Sequence, residues 1–202
     1  MARRSRAEML EETRAKLIDA ARAAFAEKGY AGASMDELTA RAGLTRGALY
    51  HHFGDKRGLL AAVVDRLDSE MAARAHEIGQ RHRNAWEGLL AEGGAYIELA
   101  RDPEIQRIVL LDGPAVLGDP SQWPSQNRCL LATMTTLEAL IAEGVVKPVD
   151  VEAAARLING AALNAALWVA ASDDAGVLAR ATDAFRQLAS GLLTRDSPTT
   201  RY

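Results

Sequence analysis

Ser34–Lys56, read as SMDELTARAGLTRGALYHHFGDK, decides the fold, because it spells two short helices separated by a glycine turn. Ser34 is placed to cap the first helix with its hydroxyl, and Glu37 three residues on completes the pattern of a capping box. Met35, Leu38 and Ala42 then fall on one face at helical spacing. Gly43 stops that helix, since a glycine takes the left-handed conformation at little steric cost. The second helix, from Thr45 to Phe53, keeps Leu49 and Phe53 on one face and turns Gly47, Tyr50 and His51 away from it. A helix-turn-helix of this kind lays its second helix in the major groove of DNA, N-terminal residues nearest the base edges.

That geometry assigns work to side chains. Arg46, in the first turn, is long enough to reach the guanine acceptors with both arms of its guanidinium. Thr45 can bond a base or a phosphate. Gly47 has no side chain to hold the backbone away from the groove, and Ala48 can touch a thymine methyl. Tyr50, His51, His52 and Lys56 carry donors for phosphates, contacts that position a protein without selecting sequence. With Ser34 these residues make up the candidate DNA-contact set.

The run Gly47-Ala48-Leu49-Tyr50-His51-His52-Phe53, followed by Asp55-Lys56 and an apolar helix from near Leu59, resembles the DNA-binding domain of the TetR family of bacterial transcriptional regulators. Thr13 to Gly29, with Ile18, Ala21, Ala24 and Phe25 as a buried stripe, resembles that family's first helix, and Gly29-Tyr30 its exit. Asp112 to Gly118, DGPAVLG, resembles a segment found in one subgroup of these regulators. The resemblance implies a ligand-responsive regulator, most often a repressor released from its operator by a small, largely apolar effector. It also implies a homodimer built from the last two long helices, on a palindromic operator.

Composition permits this reading. The chain has 202 residues, is 49% hydrophobic and carries a net charge of −3. The charge is uneven: residues 1–58 hold eleven Lys/Arg against eight Asp/Glu, a net +3, whereas residues 59–202 hold thirteen against nineteen. The positive end is the one with the motif. Arg3, Arg4 and Arg6 form a basic tail suited to a minor groove or simply to solvent. Cys129 is the single cysteine, so no intrachain disulfide forms. No signal-peptide run is seen, nor a stretch of the roughly 20 apolar residues that span a membrane. The expected setting is cytoplasmic, with no membrane partner.

Periodicity makes the rest of the chain helical, giving an all-α fold. The expected division is 1–56 as a three-helix helix-turn-helix domain, 57–196 as a larger bundle for ligand binding and dimerisation, and 197–202 as a flexible tail. Asp55 caps a helix striped by Leu60, Val63, Val64, Leu67, Met71, Ala75 and Ile78 and running to about His82. A further helix spans Trp86 to Ala100. Asp102-Pro103 opens another through Leu111, and Gly113 to Pro124 reads as an irregular loop. The next helix ends near Glu143-Gly144, and Asp150 caps its successor. Leu157 to Ala171 carries no charge, which predicts burial on most sides. The last helix shows Leu178, Ala181, Phe185, Leu188 and Leu192 as a narrow seam. With Leu157, Ala161 and Ala165 this seam is the candidate dimer interface, although an intramolecular bundle could absorb both faces.

The effector pocket implied by the resemblance draws its candidate walls from Trp86, Tyr96, Trp123, Met134, Leu163 and Trp168, with Asn159 and Asn164 for orientation. Taken singly, each reads more readily as core. Catalytic parts are missing: His51 and His52 are adjacent, about 100 degrees apart on a helix, His76 and His82 are not at metal-ligand spacing, and no phosphate-cradling loop or nucleophile elbow occurs. The chain is therefore expected to be no enzyme, with no cofactor and no metal. The remaining alternative is a scaffold that keeps the helix-turn-helix for protein contacts.

Overall fold

The computed structural model describes residues 5–194 and consists of helices. Arg3 and Arg4 of the basic tail, and the 197–202 segment, lie outside the described residues. Packing divides the chain into two compact units, residues 1–67 with 103–120 and residues 68–102 with 121–202. The division is not the single cut at residue 56 expected from the sequence. Residues 57–67 and 103–120 pack with the N-terminal helices.

In the first unit, α1 (Arg6–Gly32) opens on a complete capping box, in which Ser5 Oγ accepts from Glu8 N–H and Glu8 accepts from Ser5 N–H. Leu17, Ile18, Ala21, Ala24 and Phe25 are its buried stripe, as the spacing predicts. Gly29 breaks the helix with a φ of 70°. α2 (Met35–Ala42) and α3 (Arg46–Phe53) follow, joined through Gly43 in the left-handed conformation. Both pack on α1, and Leu38 and Leu49 are fully buried. Ser34 Oγ accepts from Glu37 N–H at 3.2 Å. Glu37 does not return the bond expected of a capping box, because its carboxylate is taken by Lys28 at 2.7 Å and Arg41 at 3.0 Å.

α4 (Lys56–Gly79) starts with Asp55 Oδ1 accepting from Gly58 N–H at 2.7 Å. Residues up to Leu67 belong to the first unit and those from Asp68 to the second. The helix ends at Gly79 rather than His82, and Ile78 is 36% exposed rather than buried with the stripe. The segment after Asp102 also departs from expectation. A short α6 (Pro103–Ile105) widens into a π-helix over Gln106–Asp112, and α7 (Gly113–Leu117) is helical where a loop was predicted. Gly113 N–H donates five residues back, to Ile108 O, and Pro114 has no N–H to continue the ladder, so a new helix begins there with the proline in its first turn. The irregular part is confined to Gly118, φ 94°, and a short 3-10 turn at Pro120–Gln122. Arg22 holds Glu104 with two 2.7 Å bonds, Asp112 accepts from Tyr30 N–H at 2.7 Å, and Arg57 donates to the free carbonyls of Val116 and Leu117.

The second unit packs α5 (Ala85–Leu99), α8 (Pro124–Ala142), α9 (Val151–Ala170) and α10 (Val177–Ser190) around one another. Asn84 and Asp150 cap α5 and α9 through their side chains. Burial of α9 on most sides is not found: Leu157 is 74% and Trp168 47% exposed, because α5, α8 and α10 cover only one face. By length and composition alone α9 could cross a membrane, but half of that stretch is buried inside the unit, as in a core helix. The single seam expected on α10 divides in two. Ala181 and Phe185 join Val177 and Ala189 in the chain's own core, and Leu188 points the other way, 72% exposed. Phe185 is seated so closely on Gly93 that any Cβ there would strike its ring.

Candidate nucleic-acid interface and effector cavity

Three local choices present the outer face of α3. Gly43 turns the chain, Thr45 caps the new helix by accepting Ala48 N–H at 3.2 Å, and Leu49 anchors the inner face. Thr45, Arg46, Gly47, Tyr50 and His51 are exposed, Tyr50 at 53%, while Ala48 and His52 are partly buried. Ser34 is exposed at the start of α2. A Cβ at Gly47 would meet nothing closer than Thr45 Oγ1 at 3.7 Å, so the glycine is there for a smooth surface and not for internal packing.

Arg46 does not stand free. Its Nε and Nη2 donate to the two carboxylate oxygens of Asp36 at 2.6 and 2.5 Å. The hydrogen bond from Arg46 lowers the Asp36 pKa, and the same bond raises that of Arg46. Both groups are exposed, so water and salt weaken the pair, and the guanidinium is oriented more than it is locked. Asp36 is a part of the site that sequence reasoning missed, although an acid in the first turn of α2 was visible. Lys56 is partly committed too: its ammonium lies 4.4 Å from the Tyr30 ring centroid, and burial lowers its pKa. His52 lies between its neighbours, 5.3 Å from the ring of His51 and 6.0 Å from that of Phe53.

Within the second unit a cavity of about 60 Å³ opens among α4, α5, α8, α9 and α10. Ala72, Ala75, Leu89, Ile158, Ala162 and Phe185 supply its apolar wall, and Glu92, Tyr96, Gln126, Cys129, Thr133 and Asn159 its polar one. Of the residues the sequence put forward, Tyr96 and Asn159 line it. Leu163, with Asn159, lines a separate groove between α8 and α9. Trp86, Trp123 and Met134 do not line the cavity: Trp86 is 1% exposed in the core, and Trp123 is buried with its Nε1 unpartnered. Trp168 is outside altogether, under the Arg180 guanidinium at 5.8 Å.

Beside the cavity the Asp68 carboxylate is 1% exposed. Tyr96 Oη donates to its Oδ1 and Gln126 Nε2 to its Oδ2, both at 2.9 Å. Burial pushes the Tyr96 pKa well up, and Asp68 adds to the shift. Burial likewise pushes the Cys129 thiol up to about 11, helped by Asp68 and Glu92, so it is no nucleophile at neutral pH. No group of three or more His, Cys, Asp or Glu able to hold a metal occurs among the described residues.

A capped helix on a glycine turn, followed along the chain by a helical bundle with its own cavity, defines a helix-turn-helix regulator of transcription. Comparison with known proteins narrows the class. Residues 17–63 match the family described as bacterial regulatory proteins, tetR family, and residues 86–192 match the tetracyclin repressor-like C-terminal domain. A crystal structure of a TetR-family transcriptional regulator from Pectobacterium atrosepticum is 49% identical, with a TM-score of 0.86 over 95% of this chain and 99% of that one. The HTH-type transcriptional regulator TtgR of Pseudomonas putida is 42% identical over 79 residues, 38% of this chain and 37% of that protein. RolR, crystallised with resorcinol, shares the fold at 21% identity, TM-score 0.69, over 96% of this chain and 98% of that one. The chain belongs to the TetR family and is a DNA-binding transcriptional regulator, not an enzyme.

Proposed function

We propose that the chain represses transcription as a homodimer on a palindromic operator and leaves it when a small molecule enters the cavity of the second unit, a cytoplasmic cycle. The observation that carries the DNA half is the α3 face bearing Thr45, Arg46, Gly47 and Tyr50, exposed beyond a left-handed glycine turn. Ser34, His51, His52 and Lys56 flank it as phosphate contacts. Twofold pairing gains support from the apolar groups that the single chain leaves uncovered on α9 and α10, Leu157, Trp168 and Leu188. Ala161, Ala165, Leu178 and Leu192, all partly buried, complete the proposed seam. A pair of reader helices then meets half-sites about 34–36 Å apart.

The release half rests on α4 and on the cavity. Ala72 and Ala75 line that cavity, and the helix that bears them is continuous back to Lys56. A ligand that displaces this stretch biases the separation of the two reader helices, provided it binds the DNA-incompetent form more tightly. Coupling of this kind is typically about 5- to 150-fold in affinity. RolR, described in complex with resorcinol, is a precedent on the same fold for a small aromatic occupant.

Footprinting and sedimentation of the protein–DNA complex test the proposal together. Two chains per site and two protected half-sites one helical turn apart are the expected result. One chain on a single uninterrupted patch would contradict it.

A further inference from the structure

We infer that the effector is a cationic, hydrogen-bond-donating molecule, an amine on a compact apolar body; this rests on the effector reading above. Among the described residues the buried Asp68 carboxylate is held by neutral donors, Tyr96 Oη and Gln126 Nε2, and both donors line the cavity. Glu92 lines it directly, its Oε2 3.2 Å from His76 Nδ1. No lysine or arginine is among the lining residues. A carboxylate withdrawn from water without a counter-ion is costly, and an ammonium group in the adjacent space would relieve that cost, whereas an anion would compound it. Burial is the main cause of the upward shifts of Tyr96 and Cys129, and the Asp68 charge adds to each.

Asn159 points the same way. Thr133 Oγ1 is 3.0 Å from both Cys129 O and Asn159 Oδ1, yet a hydroxyl has one proton to give. Asn159 Nδ2 meanwhile is buried with no acceptor. Exchanging the amide's two ends resolves the first problem and turns the second into an unpartnered acceptor. Thr133 then donates to Cys129 O, the amide N–H donates to Thr133 Oγ1, and the group left over at the cavity wall is a carbonyl. Glu92 and Asn159 then put acceptor groups on the cavity wall, with Asp68 behind Tyr96 and Gln126, and the group beside Glu92 is the His76 imidazole, outside the lining. Ala72, Ala75, Ile158 and Phe185 supply the apolar wall for the body, and the cavity of about 60 Å³ has to widen to admit it. The Phe185 ring, the largest apolar side chain on the wall, is the group that must give way to a bulkier body.

Three probes sharing one phenylethyl skeleton test the charge: phenethylamine, 2-phenylethanol and phenylacetate, titrated calorimetrically into the full chain at pH 7. The amine is expected to bind saturably and about tenfold or more tighter than the alcohol, with phenylacetate weakest. Glu92→Gln and Asp68→Asn should each bring the amine-to-alcohol ratio toward one, and Glu92→Gln suffices if the buried Asp68→Asn variant does not fold. Phenylacetate binding as tightly as the amine, or no amine binding at millimolar concentration, overturns the inference. Operator affinity measured alongside separates the two claims. An amine that binds and leaves DNA affinity unchanged upholds the charge of the site and overturns the effector reading; phenylacetate that binds and releases DNA does the reverse.

Discussion

Asp36 and Arg46 face each other across the glycine turn, joined by two parallel N–H···O bonds of 2.6 and 2.5 Å. The pair links the start of α2 to the first turn of α3, so the arginine proposed to lie nearest the base edges is oriented before DNA arrives. It also sets a negative charge beside a polyanion's landing site. Asp36→Ala is expected to raise affinity for every duplex severalfold and to weaken discrimination between sequences, since a freed guanidinium grips phosphates indiscriminately. Fluorescence anisotropy with operator and scrambled duplexes reads both effects.

Tyr96→Phe removes one of the two donors that hold the buried Asp68 carboxylate. Leaving a buried charged acceptor short of a partner costs about 1–3 kcal/mol or more. Urea denaturation should show the lowered midpoint with an unchanged slope. An unchanged midpoint would mean that Gln126 alone satisfies the carboxylate.

Cys129 carries a thiol raised to about 11, so its thiolate appears only as the pH climbs toward that value. At pH 8 alkylation by iodoacetamide should run on the order of 100-fold slower than for a free cysteine. A ligand seated in the cavity, which Cys129 lines, should slow it further. The rate against pH, followed by mass spectrometry, gives the apparent pKa directly.

Leu157 and Leu188 are 74% and 72% exposed in the single chain. Leu157→Glu together with Leu188→Glu places charges on the proposed seam, and the expected outcome is a folded monomer by sedimentation with operator affinity down at least tenfold, as half-sites are lost one from the other. Unchanged association would remove that face from the dimer.

The reader was legible because its signals are local. Ser34, Gly43 and Thr45 act within a few residues of themselves, and Leu38, Leu49 and Phe25 lie where the period of 3.6 puts them. The capping box at Ser34 failed for a reason no local pattern contains: Lys28, on another helix, competes for Glu37. Gly113-Pro114 read as a loop because both residues punctuate chains, yet a proline in a first turn costs a helix nothing. At the cavity the clue was present and unused. Asp68 stands four residues after Val64 and three before Met71, a charged group on a buried stripe, and such a residue calls for partners. Those partners, Tyr96 and Gln126, come from helices 28 and 58 residues away, so spacing alone could not name them.

The most direct measurement of the central claim is an anisotropy titration of the full chain against duplex DNA from just upstream of its own gene, beside a scrambled control, at several salt concentrations. Tight binding to the first, a log–log fall with salt, and loss of the preference in Arg46→Ala are the predicted result. Equal, weak binding to both duplexes, indifferent to Arg46→Ala, would contradict it.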